Sequence, residues 1–376
     1  MTTYLFATKP HSRRGATAPM GSVLSALLAT LTVMAVSGQP APPSAALSLQ
    51  VEPKAPQAEI TNGMVKAQFY LPDAKNGYYR GTRFDGSGVI GNLEYQGHRY
   101  FGPWFTKTDP EVNDFIYKGA DIIAGPCSAI SGPVEEFSTD GKALGYDEAK
   151  PGGTFLKIGV GVLRKPKDAG PYSAFRLYEI VDPGTWKVQA KDSSIEFTHD
   201  VADPVSGYAY HYVKIIRLTK GRPEMVMDHT LKNTGKRPIA TSVYNHNFLV
   251  LDGQPPGPDF VIKAPFEIKT KEPLDKNLAE VRGNQFVYLK ALKDKETVYT
   301  EWQGFGLGAA DYRFTIENKK VGAGLQITGD RPLARVALWS IRTVLSPEPY
   351  VAMTIEPGQA FTWQYTYTFY VIDNKK

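Results

Sequence analysis

Residues 233–250 read Asn-Thr-Gly-Lys-Arg-Pro-Ile-Ala-Thr-Ser-Val-Tyr-Asn-His-Asn-Phe-Leu-Val. The stretch begins as a turn, because Asn and Gly tolerate backbone conformations that other residues avoid. An extended run follows. It ends in Asn245-His246-Asn247-Phe248, where polar groups stand in place of core residues. Two readings compete for His246: a buried histidine satisfied by a backbone carbonyl, or an imidazole positioned for chemistry. Alternation along a strand puts Asn245 and Asn247 on the face opposite His246 if the strand continues.

The same extended pattern recurs on either side. Residues 58–70 read as two strands joined at Asn62-Gly63, a strong hairpin signal between apolar alternations. Phe361, Trp363, Tyr365, Tyr367 and Phe369 alternate with polar residues, which marks a half-buried strand with one aromatic face. Between these ends lie many short apolar runs, including 155–162, 174–180, 210–218, 224–231 and 334–343. Clusters such as Asp182-Pro183-Gly184 separate them. Regular short strands with frequent turns predict an all-β protein, a large antiparallel β-sandwich. The chain has 376 residues, 42% hydrophobic, which is ample for a core. No fixed-period repeat and no long helical pattern appears.

The first 38 residues have the layout of a secretory signal peptide. Arg13 and Arg14 precede an apolar run from Val23 to Val36, and small residues follow at Ala35, Ser37 and Gly38. The run is shorter than the ~20 residues a membrane span needs, so no stable span is expected. The chain is expected to be exported, to the periplasm or outside the cell. Residues 39–57 read as a Pro/Ala-rich linker, and 58–376 as one domain. The net charge of +5 falls to near neutral without Lys9, Arg13 and Arg14. No basic cluster is present, so nucleic acid is not an expected partner. Cys127 is the single cysteine, which excludes an internal disulfide and a cysteine-built zinc site. Gly86-Ser87-Gly88 lacks the helix and lysine of a phosphate loop, and the histidines show no metal-ligand spacing. Neither cofactor nor metal is expected.

Residues 233–248 resemble the strand and Asn-His segment of the galactose mutarotase (aldose 1-epimerase) superfamily. Two other places share the likeness. Pro347-Glu348-Pro349-Tyr350, followed by Ile355-Glu356-Pro357-Gly358, resembles the family's carboxylate segment and closing turn. Tyr79-Arg80-Gly81-Thr82-Arg83 resembles its early arginine segment. At the level of strand pattern the resemblance runs from about residue 58 to 372. It implies a galactose mutarotase-like sandwich that binds a small carbohydrate and interconverts sugar anomers. Two departures stand out. Typical members carry an early second histidine followed by two glycines, and none stands in the corresponding 123–127. After His246 the family's Tyr-Phe-Asn-Leu is replaced by Asn-Phe-Leu-Val.

Opening a sugar ring takes two proton transfers. A base removes the proton of the anomeric hydroxyl, and an acid protonates the ring oxygen. Carboxylate and imidazole groups exchange protons near neutrality, and each such group contributes ~100- to 10,000-fold. The resemblance implies that His246 is the acid and Glu348 the base. Glu348 lies between Pro347 and Pro349, which reads as a rigid turn; Glu356 is its rival. Arg83, with Arg80 as the alternative, has the planar fork that suits sugar hydroxyls; either could instead pair with Asp85 or Asp73. Asn245 and Asn247 would orient the imidazole or bind hydroxyls. Trp104, Trp339 and Trp302 could stack on a pyranose face, the first two being preferred. Glu136, or its neighbour Glu135, could add a further carboxylate. An epimerase predicts that His246 and Glu348 converge in one cleft. The alternative, a non-catalytic carbohydrate-binding protein on the same fold, predicts an aromatic groove with the two groups apart. A lyase or glycosidase would usually bring a helical domain, for which the chain has no room.

Overall fold

The structure is a computed structural model describing residues 55–372 except 139, 140 and 169. The expected signal peptide over 1–38, and the linker except for its last three residues, lie outside the described residues. Apart from two short 3-10 turns, the regular structure described is β-strand. No described helix is long and apolar enough to cross a membrane.

Two large antiparallel sheets carry the fold. A ten-stranded sheet includes Ser194–Asp203, Tyr208–Leu218, Glu224–Asn233 and Ala360–Val371, in that order. The aromatic face expected at the C-terminus is there. Trp363, Tyr365, Tyr367 and Phe369 are buried in the core, while Thr362, Gln364 and Thr366 point away. The second sheet has six strands, in the order Lys269–Thr270, Val298–Gln303, Arg335–Ile341, Val344–Ile355, Ile239–His246 and Val134–Ser138. A four-stranded sheet begins with the Asn62-Gly63 hairpin, where Gly63 has φ +83°. Leu249 bridges it to the six-stranded sheet, pairing with both Phe101 and Leu345.

Two expectations give way here. Residues 174–180 form a loop, and only Ile180 enters a short strand. Glu348 is inside the strand Val344–Ile355 and not in a turn. The prolines act on pairing instead. Neither can donate an N–H, and the ladder to the His246 strand stops at Tyr244 opposite Tyr350. Beyond it, the Asn247 side-chain amide donates to the Pro347 carbonyl at 2.7 Å.

A buried charge cluster joins the two layers. Lys214 Nζ, fully buried, lies 2.8 Å from Asp85 Oδ2 and donates to the Ser87 carbonyl at 2.9 Å and to Glu135 Oε2. Glu135 Oε1 lies 2.8 Å from His229 Nε2. The Asp85 backbone N–H also donates to the Glu135 carbonyl at 2.8 Å. Lys214 comes from the ten-stranded sheet and Glu135 from the six-stranded one. Asp85 belongs to the segment that carries Arg83, two residues away. Burial alone would raise the Glu135 carboxyl, but Lys214 and His229 together hold it below the usual range.

Candidate functional site

One face of the six-stranded sheet assembles the site. Strand pairing sets Tyr299 opposite Trp339, Trp339 opposite Ser346, and Tyr244 opposite both Tyr350 and Glu136. Side chains two apart share a face, so Ser346, Glu348 and Tyr350 line up beside Tyr244 and His246. The result is a cavity of about 290 Å3. Arg83, Trp104, Tyr244, His246, Trp339 and Glu348 are among its lining residues. That volume is near the lower end of the ~300–1,000 Å3 common for ligand pockets.

His246 and Glu348 converge. His246 Nε2 lies 3.3 Å from Glu348 Oε1, and both side chains are 7% exposed. The ring of His246 stacks on Phe248 at 3.7 Å and meets the edge of Trp339 at 5.4 Å. Ser346 Oγ sits 2.7 Å from its other nitrogen, Nδ1. The chain must also pass close by: a Cβ on Gly132 would stand 2.3 Å from the His246 carbonyl oxygen, so only glycine fits there.

Burial decides the charge state of this pair. It pushes the Glu348 carboxyl up to about 8, an effect that Arg83 opposes and Glu136 reinforces. Burial, followed by the positive charge of Arg83, pushes His246 well below the usual imidazole range. At neutral pH the proton therefore sits on Glu348 and the imidazole is neutral. A neutral ring has one donor nitrogen and one acceptor nitrogen. With the carboxyl facing Nε2, the ring proton belongs on Nδ1, where it donates to Ser346 Oγ.

Arg83 reaches the cavity from the turn after Gly81. The Tyr79 hydroxyl builds that turn by accepting the backbone N–H groups of Arg83 (3.2 Å) and Phe84 (3.0 Å) and donating to the Cys127 carbonyl (3.3 Å). Arg83 Nε donates to Glu136 Oε2 at 2.7 Å, and Nη2 donates to the Tyr244 hydroxyl at 3.2 Å. Tyr244 in turn donates to Glu136 Oε2 at 2.6 Å. The guanidinium lies over the rings of Phe84 and Phe175. Burial works against the ions here, yet Arg83 and Lys157 together hold Glu136 below the usual carboxylate range. Glu136 is thus an anchor for Arg83 and does not line the cavity. Arg80 points elsewhere and donates to the Lys75 carbonyl at 3.2 Å.

The remaining expected residues divide by strand face. Asn245 and Asn247 turn away from the cavity. Asn245 Nδ2 donates to the Tyr367 hydroxyl at 2.7 Å, and that hydroxyl donates to Asn247 Oδ1 at 2.7 Å. Asn245 Nδ2 and Asn247 Oδ1 thus join the six-stranded sheet to Tyr367 of the ten-stranded one. Trp339 lines the cavity and remains partly exposed. Trp104 lines it too but is 3% exposed, stacks on Phe248 at 5.4 Å and donates Nε1–H to the Ile130 carbonyl at 2.8 Å. Trp302 is in the core. Glu356 is exposed in a turn.

Several lining residues were absent from the sequence reading. Tyr244 and Tyr350 stand two positions from His246 and Glu348, so strand alternation would have found them. Asp114, held by Ser128 Oγ at 2.5 Å and raised by burial, comes from a loop with no local signal. Phe175 and Tyr299 likewise reach the site only through the fold. No group of three or more His, Cys, Asp or Glu side chains suited to a metal ion occurs among the described residues.

No protein-family model matches the chain, and no curated protein matches it. Solved structures do. A GalM/aldose epimerase homologue from C. elegans aligns at 12% identity over 85% of this chain and 100% of its own, with a TM-score of 0.50. The Slr1438 protein of Synechocystis aligns at 12% identity over 85% of this chain and 98% of its own, also at 0.50. At this identity the likeness speaks for the fold and not for the activity. Taken with the two antiparallel sheets, it establishes the chain as a divergent protein of the galactose mutarotase-like fold.

Proposed function

We propose that this protein is an aldose 1-epimerase-like isomerase that interconverts sugar anomers. The observation that carries the reading is the approach of His246 Nε2 to Glu348 Oε1 at 3.3 Å, at the base of an aromatic cavity. The proton is held on Glu348, so Glu348 gives a proton and the neutral His246 takes one, the reverse of the acid and base roles expected from the sequence. Transfer to the ring oxygen and removal from the anomeric hydroxyl break the C1–O5 bond and form the aldehyde. Rotation about C1–C2 and closure by the reverse transfers return both protons to their starting groups. Arg83 is fixed by Glu136 and Tyr244 and offers its remaining N–H groups to hydroxyls. Trp339 offers a ring to the apolar face of the sugar.

Freshly dissolved α-glucose, α-galactose and a panel of hexoses and uronic acids, followed by NMR, test this. Acceleration by the wild type that is lost in Glu348→Gln and His246→Ala supports it. A second reading is a sugar-binding protein without turnover, and it is favoured by one feature: His246 is the sole histidine among the residues lining the cavity. Shifted sugar resonances with no acceleration would establish that reading instead.

A further inference from the structure

The geometry points to a second carbohydrate subsite at the rim of the cavity, built on Tyr299 with Arg335 and Glu301, that receives the next ring of a reducing-end oligosaccharide. This deepens the proposed function, because it names the class of sugar the His246–Glu348 site would take. Tyr299 lines the cavity yet is 55% exposed. An exposed aromatic side chain is ordinarily free to move; this one is held. Arg335 Nη2 donates to the Tyr299 hydroxyl at 2.7 Å and to Glu301 Oε1 at 2.5 Å. The Tyr299 hydroxyl closes the triangle by donating to Glu301 Oε1 at 3.1 Å. Lys271 Nζ takes the other Glu301 oxygen at 3.2 Å.

Location supports a ring rather than a chance rim. Tyr299 is two strands from the Glu348 strand in the sheet order, which is about 10 Å at ~4.8 Å per strand. It is on the same face, in the row that contains Trp339 and Ser346. A cavity of about 290 Å3 is small for more than one sugar ring. A unit attached to a ring held at His246 and Glu348 would therefore extend over Trp339 toward Tyr299. Sugars need an apolar surface for their C–H face and polar groups for their hydroxyls. Tyr299 supplies the first. Arg335 and Glu301, whose side chains remain 42% and 23% exposed beside it, supply the second.

Binding and turnover are read separately to test this. Dissociation constants for glucose, galactose and a panel of reducing di- and trisaccharides are measured by tryptophan fluorescence on Glu348→Gln, since Trp104 and Trp339 line the cavity. The same measurements are made with Tyr299→Ala added. That truncation removes a half-exposed side chain and leaves no core cavity. Anomer interconversion is followed on the wild type. At least one disaccharide binds more tightly than its reducing-end monosaccharide, and Tyr299→Ala shrinks that ratio roughly three- to tenfold. Equal affinity for short and long sugars, or a ratio that Tyr299→Ala leaves unchanged, overturns the subsite while monosaccharide turnover keeps the epimerase reading. Preferential disaccharide binding without any turnover overturns the epimerase and keeps the subsite. Absence of binding by every sugar overturns both.

Discussion

His246 Nε2 and Glu348 Oε1 are 3.3 Å apart although 102 positions separate them in the chain. Antiparallel pairing of their strands brings them together, with the tyrosines Tyr244 and Tyr350 stacked at 4.3 Å one step along the same face. If this pair carries the chemistry, removing either member costs ~100- to 10,000-fold in anomer exchange. Saturation-transfer NMR on Glu348→Gln and His246→Ala measures it. Unchanged exchange rates in both variants would remove the pair from the mechanism.

The rate should fall with rising pH around 8. Glu348 holds its proton up to about 8, so above that value the pair has lost its shared proton and contains two bases. Acid should also lower the rate, at a pH well below the usual imidazole value, where His246 becomes charged. Initial rates from about pH 5 to about 10 give the profile. A rate that climbs through pH 8 would mean that deprotonated Glu348 is the working form.

Stability gives a second signature for the same residue. The Glu348 carboxyl is raised in the folded protein from 4.5 to about 8, so between those values the folded state binds more protons than the unfolded state. Stability from this group is full below about 4.5 and is lost as the pH rises through about 8. Glu348→Gln is neutral at every pH and removes that loss. Thermal unfolding should show the variant more stable than the wild type at pH 8, with the gain shrinking toward pH 5. An equal offset at both values would rule out the buried acid as its cause.

Lys214→Met leaves Asp85 and Glu135 buried without their cation. Losing one partner of a buried ion cluster costs ~3–5 kcal/mol, which denaturant unfolding will register. A loss below about 1 kcal/mol would mean the cluster contributes little to joining the two sheets.

Tyr367→Phe removes the hydroxyl that accepts from Asn245 and donates to Asn247. Two buried amide atoms lose their partners, at ~1–3 kcal/mol of stability for each. Urea midpoints for the variant and wild type would show it, and equal midpoints would count against the structural role of this triad.

Much of the fold was legible because strands announce themselves locally. The Asn62-Gly63 hairpin and the alternating aromatics from Phe361 to Phe369 need only backbone preference and period-two burial. The run at 174–180 misled because it is apolar, and apolar composition alone does not separate a strand from a loop packed over a site. Glu348 misled in another way. Two prolines look like a turn, but their effect in the strand is to end pairing with the His246 strand where the two catalytic candidates meet.

Within the site, alternation correctly sets His246 against Asn245 and Asn247, because successive side chains of a strand must point to opposite faces. The sequence alone determined that opposition, the strand-rich architecture and the presence of an unusual polar strand end. Only the tertiary structure decided which residues face one another. Pairing register brings Glu348 to His246 and sets Tyr299 in the row of Trp339, and packed loops deliver Arg83, Asp114 and Phe175. Burial then puts the shared proton on Glu348. These are consequences of contacts between distant parts of the chain, and no local pattern of residues encodes the solvent a side chain will lose or the charge it will meet.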